Sequence, residues 1–404
     1  MASNLKIRFS LSALFLLLIY TCDRQLVAPI RDNPFDSGNN ITSGDPFNLQ
    51  TQNLSDYILV SWEYTYEKPV IESFLLYRVN GSSIDTLYTG LATTFEDSDV
   101  EWDSTYTYYV TAIINEKETS PPEVDGLPAV VRRIVVGEGE QYTRIQVAVY
   151  GMNSGTIYVK EGRYDRVTIN NNPINLKCIA KDDKCIIDAE DSESAVKISN
   201  VPDNQIEISG FTLENGNSNY GGGIYIRNAD VIIDSCLIQD NNADSDGGGI
   251  YITGSQSNCL ISNTEISNNT AQSGGGIYID GNKPTSVLDP TIATEMDNVN
   301  ILNNEAHIDN GSGGGIYTQY SENHIIGCLI EENKSRDGGG IYFNMAQHVK
   351  VNLCSIKNNY AGGFGGAIGA INSTFADSLI ITNSEILLNS ATNGGALSIR
   401  DDDD

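Results

Sequence analysis

One pentapeptide constrains this chain more than any other feature. Gly-Gly-Gly-Ile-Tyr recurs at 221–225, 247–251, 274–278, 313–317 and 338–342, and Gly365-Gly366-Ala367-Ile368 and Gly394-Gly395-Ala396-Leu397 continue the series. From each Ile to the next, and finally to Leu397, the spacings are 26, 27, 39, 25, 27 and 29 residues. A second apolar column precedes these positions at Leu213, Ile238, Ile266, Ile301, Ile330, Ile356 and Ile386. In the last six coils an Asn follows three residues later, at Asn241, Asn269, Asn304, Asn333, Asn359 and Asn389, whereas the first coil has Asn215 two residues after Leu213. Self-similarity at such a period marks a solenoid.

The period dictates the geometry. About 26 residues make one turn of short strands, and successive turns stack at ~4.8 Å through backbone hydrogen bonds. Alternation within Gly-Gly-Gly-Ile-Tyr-Ile sends the two Ile inward and the Tyr outward. Stacked Asn side chains are expected to bond amide to amide along the axis. The first two glycines never vary and are the expected sites of positive φ or tight turning. A single coil cannot bury its own face, so stability comes from its neighbours. With 38 Gly, 11 Pro and almost no long amphipathic helical pattern, the chain reads as all-β.

Gly-Gly-Ala-Ile combined with apolar-x-x-Asn is similar to the repeat of polymorphic outer-membrane proteins and other pectate-lyase-like β-helix proteins. That resemblance covers roughly 190 residues, with a looser stretch from Val131, and implies a right-handed parallel β-helix over 128–404 with its coils at 210–404. Between Gln141 and Val149 the pattern allows one short helix with Ile145, Ala148 and Val149 inward, followed by a strand and turn over 155–164. This resembles the helical cap, here about 131–165, that closes the first coil of many such proteins. The sequence departs from the outer-membrane relatives in showing no β-barrel after the repeat. It stops at Arg400-Asp401-Asp402-Asp403-Asp404, which reads either as a charged end that opposes stacking or as a truncation.

Ahead of the repeat, residues 45–127 alternate in short runs such as 58–62, 74–78 and 106–112, the signature of a small β-sandwich. Trp62, and the every-second-residue series Val100, Trp102, Ser104, Tyr106, Tyr108, Val110 and Ala112, resemble a fibronectin type III module. The resemblance implies that Trp62 is the core tryptophan, that the Tyr106 hydroxyl ties a turn to the backbone, and that the module is a spacer or else a binding domain. Residues 22–44 are polar and hold Pro29, Pro34, Gly38 and Gly44, as a tether would. At the start, Lys6 and Arg8 precede an apolar run of 12 residues, Phe9 to Tyr20, suited to the core of a signal peptide over 1–21. Leu18-Ile19-Tyr20-Thr21-Cys22 resembles a lipobox, with Thr21 departing from the usual small residue, so Cys22 is the expected lipidation site. The alternative is an ordinary secretory signal. Either way the protein is expected to be exported: on the cell surface or outer membrane through a lipid on Cys22, otherwise secreted or periplasmic.

A formal net charge of −29 argues against nucleic acid and anionic membranes as partners. His307, His324 and His348 lack ligand-like spacing, so no metal and no cofactor is expected. Asp244, Asp246, Asp309 and Asp337, with Arg336 beside the last, lie in turns before the glycines. They are turn formers first and a catalytic set only secondarily. No catalytic residue is assigned. The sharper feature is the column Tyr225, Tyr251, Tyr278, Tyr317 and Tyr342, which is either a self-stacking strand feature or an exposed aromatic face for sugar rings. A loop over Gly281 to Asp297, in the 39-residue coil, is the expected wall of such a groove. Cys236, Cys328 and Cys354, each two before an inward Ile, are small core fillers, Cys328 and Cys354 lie in adjacent coils, and Cys178 and Cys185 flank a turn a disulfide could close. Together these features suggest a non-catalytic surface binding or adhesion protein for polysaccharide or a host or cell-surface ligand. The alternatives are a polysaccharide lyase or glycoside hydrolase of the pectate-lyase-like class, or a plain structural spacer.

Overall fold

A computed structural model describes residues 47–53, 57–64, 70–80, 83–101, 104–114, 116–119, 127–130, 134–180, 184–254, 257–281, 292–372 and 379–401. The expected signal peptide over 1–21, Cys22, the expected tether over 22–44, Trp102 and Asp402 to Asp404 lie outside them.

The first unit is antiparallel. Gln50–Asn53, Ile58–Ser61 and Thr94–Asp97 form one sheet; Ser73–Asn80, Ser83–Gly90, Thr105–Ile114 and Lys117–Glu118 form another. Trp62, Phe74, Leu76, Tyr106, Tyr108 and Val110 are buried between them, with Trp62 edge-on to Phe74 at 6.0 Å. The Glu101 N–H donates to the Tyr106 hydroxyl at 2.7 Å. Inside this core, Arg78 donates to both oxygens of Asp97 (2.9 and 3.1 Å) and the Tyr108 hydroxyl donates to the same carboxylate (2.8 Å), tying one sheet to the other. Leu127–Val130 pairs with Thr105–Ile114, Tyr106 opposite Ala129, so the expected boundary at 127/128 cuts a strand of this unit. Pro128 misled the sequence reading; at a sheet edge proline is tolerated because no N–H is needed there.

From Ile134 onward the chain is a stack of parallel coils. The coil that opens at Ile250 contains Ile250–Thr253, Cys259–Ser262, Glu265–Ser267 and Thr270–Ala271, each paired in register with its equivalents above and below. Two of the resulting sheets have 9 and 7 strands, running from Gly162–Asp165 to Glu385–Leu387 and from Asn217–Tyr220 to Ser390–Asn393. The one helix among the described residues, Ile145–Tyr150, buries Ile145, Ala148 and Val149 in the solenoid core. Burial depends on the next coil: Ile316 and Ile341 are fully buried, whereas Leu397 and Ile399, in the last coil, are 39% and 51% exposed.

The glycines divide the turn between two constraints. Each first glycine, from Gly221 to Gly394, has φ between +61° and +70°, where a side chain is strained. The second glycine is held by proximity instead: a Cβ on Gly248 would lie 2.4 Å from the Thr270 carbonyl oxygen. At the facing corner a second left-handed residue immediately precedes each ladder Asn, as at Asn268, Asn303 and Asn358, which explains the Asn-Asn pairs. The expected loop over Gly281 to Asp297 is partly a strand. Ile292–Asp297 alternates buried and exposed, with Ile292, Thr294 and Met296 inward, and pairs with Ser321–Ile326; only 282–291 fall outside the described residues. Its inward period was hidden by the length of the insertion that precedes it. Cys178 and Cys185 form a disulfide, with Cα atoms 5.9 Å apart.

The six asparagines form a continuous ladder, buried from Asn241 to Asn359 and half-buried at Asn389. Asn304 donates from Nδ2 to Asn333 Oδ1 (3.0 Å) and to the Ile266 carbonyl (2.8 Å), while its Oδ1 accepts from Asn269 Nδ2 and the Asn269 N–H, both at 3.0 Å. The same pattern links Asn241 to Asn269, Asn333 to Asn359 and Asn359 to Asn389 at 2.9–3.0 Å. Replacing Asn304 by Ala orphans two donors on Asn269 and one carbonyl in a dry core, so N304A is expected to lose about 3–5 kcal/mol. N389A, at the half-buried end, should lose less than about 1.5 kcal/mol. Urea denaturation of both variants checks this ordering; equal losses would show that the ladder is not a cooperative element.

Candidate functional site

The tyrosine column lies on the face that the glycine turns lead into. Ile224 pairs with Ile250, Ile250 with Ile277, Ile277 with Ile316 and Ile316 with Ile341, so register places Tyr225, Tyr251, Tyr278, Tyr317 and Tyr342 one above another. Their rings stack nearly parallel, with centroids 5.7, 5.4, 4.4 and 5.5 Å apart. This corrects the expectation of an exposed aromatic face. Tyr251, Tyr278, Tyr317 and Tyr342 are only 5–8% exposed, because each ring covers the faces of its neighbours. The column ends at Gly369, whose lack of a side chain lets the Tyr342 ring settle over it: a Cβ there would come within 2.9 Å of that ring.

Side columns wall the rings in. On one side Tyr220 is in register with Asp246, and Asp246 with Ser273. On the other run Arg227, Thr253, Asp280, Gln319 and Asn344. Asp280 accepts from the Tyr251 hydroxyl (3.1 Å), the Thr253 hydroxyl (3.5 Å) and the Gln319 amide (2.5 Å). Asn344 donates to the Tyr317 hydroxyl at 2.7 Å. Burial holds the Tyr251 and Tyr278 phenols far above their ordinary range, and Tyr342 is pushed up to about 12. Asp246 is different: among the described residues its carboxylate has no hydrogen-bond partner, and burial, with Asp280 adding its charge, raises it to about 6.

The trough opens at its first coil. A pocket of about 500 Å³ is lined by Tyr220, Tyr225, Arg227, Asn228, Tyr251, Thr253 and Gly254. Tyr220 is 42% exposed and Tyr225 half-buried, so aromatic surface does reach solvent here. Lys197 lies 5.4 Å over the Tyr225 ring. Among the described residues neither Lys197 nor Arg227 makes an ion pair. The sequence reading missed Lys197, Tyr220, Arg227 and Asp280. Arg227 and Asp280 were accessible, since each lies two residues after a column tyrosine and alternation places it outward. Lys197 sits in a coil without the glycine signature, so no spacing reached it.

The other expected residues scatter. Asp246 joins the trough. Asp337 is buried at the far end, where its carboxylate accepts from the Phe364 N–H (2.9 Å) and lies 3.8 Å from Arg400 and 3.9 Å from Arg336. Asp244 and Asp309 are exposed, as are His307 and His348, so the four aspartates do not form one set. His324, half-buried, lies on Ser321–Ile326, a strand other than those that carry the tyrosines. Among the described residues no three His, Cys, Asp or Glu side chains are placed to hold a metal ion. Cys236, Cys328 and Cys354 are buried, as is Cys259.

Residues 133–294 match the family model described as a right handed beta helix region. This stretch is a right-handed β-helix. Solved structures similar to the chain include the deglycosylated pectin methylesterase of Aspergillus niger (14% identity, 63% of this chain and 85% of that one, TM-score 0.38). Others are the family 28 exopolygalacturonase of Yersinia enterocolitica (10%, 88% and 99%, 0.26) and pectate lyase PelI of Erwinia chrysanthemi with tetragalacturonic acid (11%, 87% and 99%, 0.17). At these identities and scores the likenesses carry no functional argument. No curated protein sequence matches the chain.

Asp246 gives the trough a pH signature. Its folded value, about 6, lies above the ordinary 3.8, so the folded state prefers the neutral acid. That preference is whole below about pH 4 and is lost as pH rises through 6. D246N, neutral throughout, should match the parent at pH 4 and exceed it by about 1–2 kcal/mol at pH 7.5. Denaturation at the two pH values measures the difference, and a parent as stable as D246N at pH 7.5 would contradict the burial of Asp246.

Proposed function

We propose that this chain is an exported, lipid-anchored surface protein that binds a glycan, without turning it over, at the open end of the tyrosine trough. The carrying observation is the pocket that joins the exposed ring of Tyr220 and the half-buried ring of Tyr225 to Arg227. In a chain of net charge −29, a cation that pairs with no carboxylate among the described residues is open to a ligand. Amphipathic rings suit sugar faces, and a guanidinium adds bidentate hydrogen bonds to hydroxyl or carboxylate oxygens. The inner tyrosines form the wall behind the pocket and do not themselves present a face. In this reading Cys22 carries the lipid, residues 22–44 are the tether, and a fibronectin type III-like module ahead of the solenoid serves as spacer.

One observation favours a second reading, a glycoside hydrolase or polysaccharide lyase. Asp246, raised to about 6 and without a hydrogen-bond partner among the described residues, lies within reach of the charge of Asp280, whose carboxylate is itself hydrogen-bonded, and two neighbouring carboxyls are what acid and base roles require. The fold is shared with pectin-processing enzymes, which favours neither reading over the other.

A glycan array that includes uronate-containing polysaccharides, read on the chain and two variants, separates these possibilities. Y225A/R227A should weaken binding by at least about tenfold, from one ring contact and one charged hydrogen-bonding group. Y317A should keep the affinity while lowering stability. Depolymerisation of a bound glycan that disappears in D246N supports the enzyme instead. Failure of the folded parent to bind any glycan sinks both.

A further inference from the structure

A different part of the solenoid carries covalent chemistry. Two residues before each inward Ile, the coils place Cys236, Thr264, Val299, Cys328, Cys354 and Ser384, so only one pair of cysteines falls in successive coils. Leu329 pairs in register with Ser355, and the Ser355 N–H donates to the Cys328 carbonyl at 2.9 Å, which sets Cys328 directly on Cys354. Stacked coils are ~4.8 Å apart, inside the Cα separation that a disulfide bridges. The two thiols occupy equivalent inward positions one coil apart. Both are buried, at 2% and 3% exposure, beneath backbone carbonyls: Cys328 Sγ lies 3.2 Å from the Ile326 oxygen and Cys354 Sγ 3.3 Å from that of Asn352.

We propose that Cys328 and Cys354 close a disulfide that staples two successive coils when the protein folds in an oxidising medium. The reaction is thiol–disulfide exchange with a small disulfide such as oxidised glutathione. The Cys354 thiolate attacks one glutathione sulfur, forming a mixed disulfide and expelling one glutathione thiolate. The Cys328 thiolate then attacks the Cys354 sulfur and expels the second. Two cysteine thiols are thereby oxidised, and their two electrons and two protons leave on two glutathione thiols. The two cysteines are interchangeable in these roles while the coil is still open. Exchange precedes burial, since neither sulfur is reachable once the next coil has closed. This staple is independent of what the trough binds.

The full chain is refolded from denaturant in a glutathione redox buffer, alkylated in denaturant and digested with trypsin followed by a Glu- and Asp-specific protease, which cuts between Cys236, Cys259 and Cys328 at residues such as Asp240, Glu265 and Asp280. Cleavage at Lys334, Arg336 and Lys350 separates the two cysteines unless they are joined. The expected map links the Cys328 and Cys354 peptides, keeps Cys178 with Cys185, and leaves Cys236 and Cys259 alkylated. Alkylation of both Cys328 and Cys354 in protein that has formed the 178–185 bond overturns the proposal, as does a link from either to Cys236. A second measurement tests the staple itself. The oxidised parent should show a folding equilibrium about two orders of magnitude more favourable than C328S/C354S. No difference would refute the stapling role.

Discussion

The Asn ladder is the interaction on which the rest of the solenoid depends. A primary amide has two donor hydrogens and two acceptor lone pairs, and at Asn269, Asn304, Asn333 and Asn359 all four are used inside a fully buried core. Such satisfaction holds only when successive coils sit one strand spacing apart in a single register. A slip of one residue would bury unpaired amides at several kcal/mol each and turn every inward Ile outward. Burial of the Ile columns supplies the driving force, and the ladder supplies the specificity.

The same axial spacing acts on the outer surface. Side chains that repeat at ~4.8 Å touch, and flat rings at that interval stack. The tyrosines therefore become a second small core, walled by Asp246 and Ser273 on one side and Thr253, Asp280, Gln319 and Asn344 on the other. Among the described residues the rings reach solvent where the column starts, since there the coil before Tyr225 offers Lys197 in place of another ring.

Much of this was legible in the residues. The period, the inward Ile, the Asn column, the first-glycine turns and the buried side of the helix over Ile145–Tyr150 all follow from spacing and alternation. What escaped was whatever depends on two columns at once. Alternation says that Tyr278 points away from the core, but its burial depends on neighbouring rings and side walls that are distant in sequence. The strand Ile292–Asp297 was lost behind an insertion, and Leu127–Val130 behind a proline. The turn aspartates looked equivalent in sequence, yet Asp246 and Asp337 are drawn into the trough and its far end while Asp244 and Asp309 face water.

The central claim, that coil stacking turns the tyrosines onto one another and leaves only the first coil open, is tested most directly by chemical footprinting. The folded protein would be treated with tetranitromethane and nitration mapped residue by residue. The account predicts prompt modification of Tyr220 and slower modification of Tyr225. Tyr251, Tyr278 and Tyr317 should stay protected until the protein unfolds. Nitration of Tyr278 and Tyr317 in folded protein, at the rate of Tyr220, would contradict it.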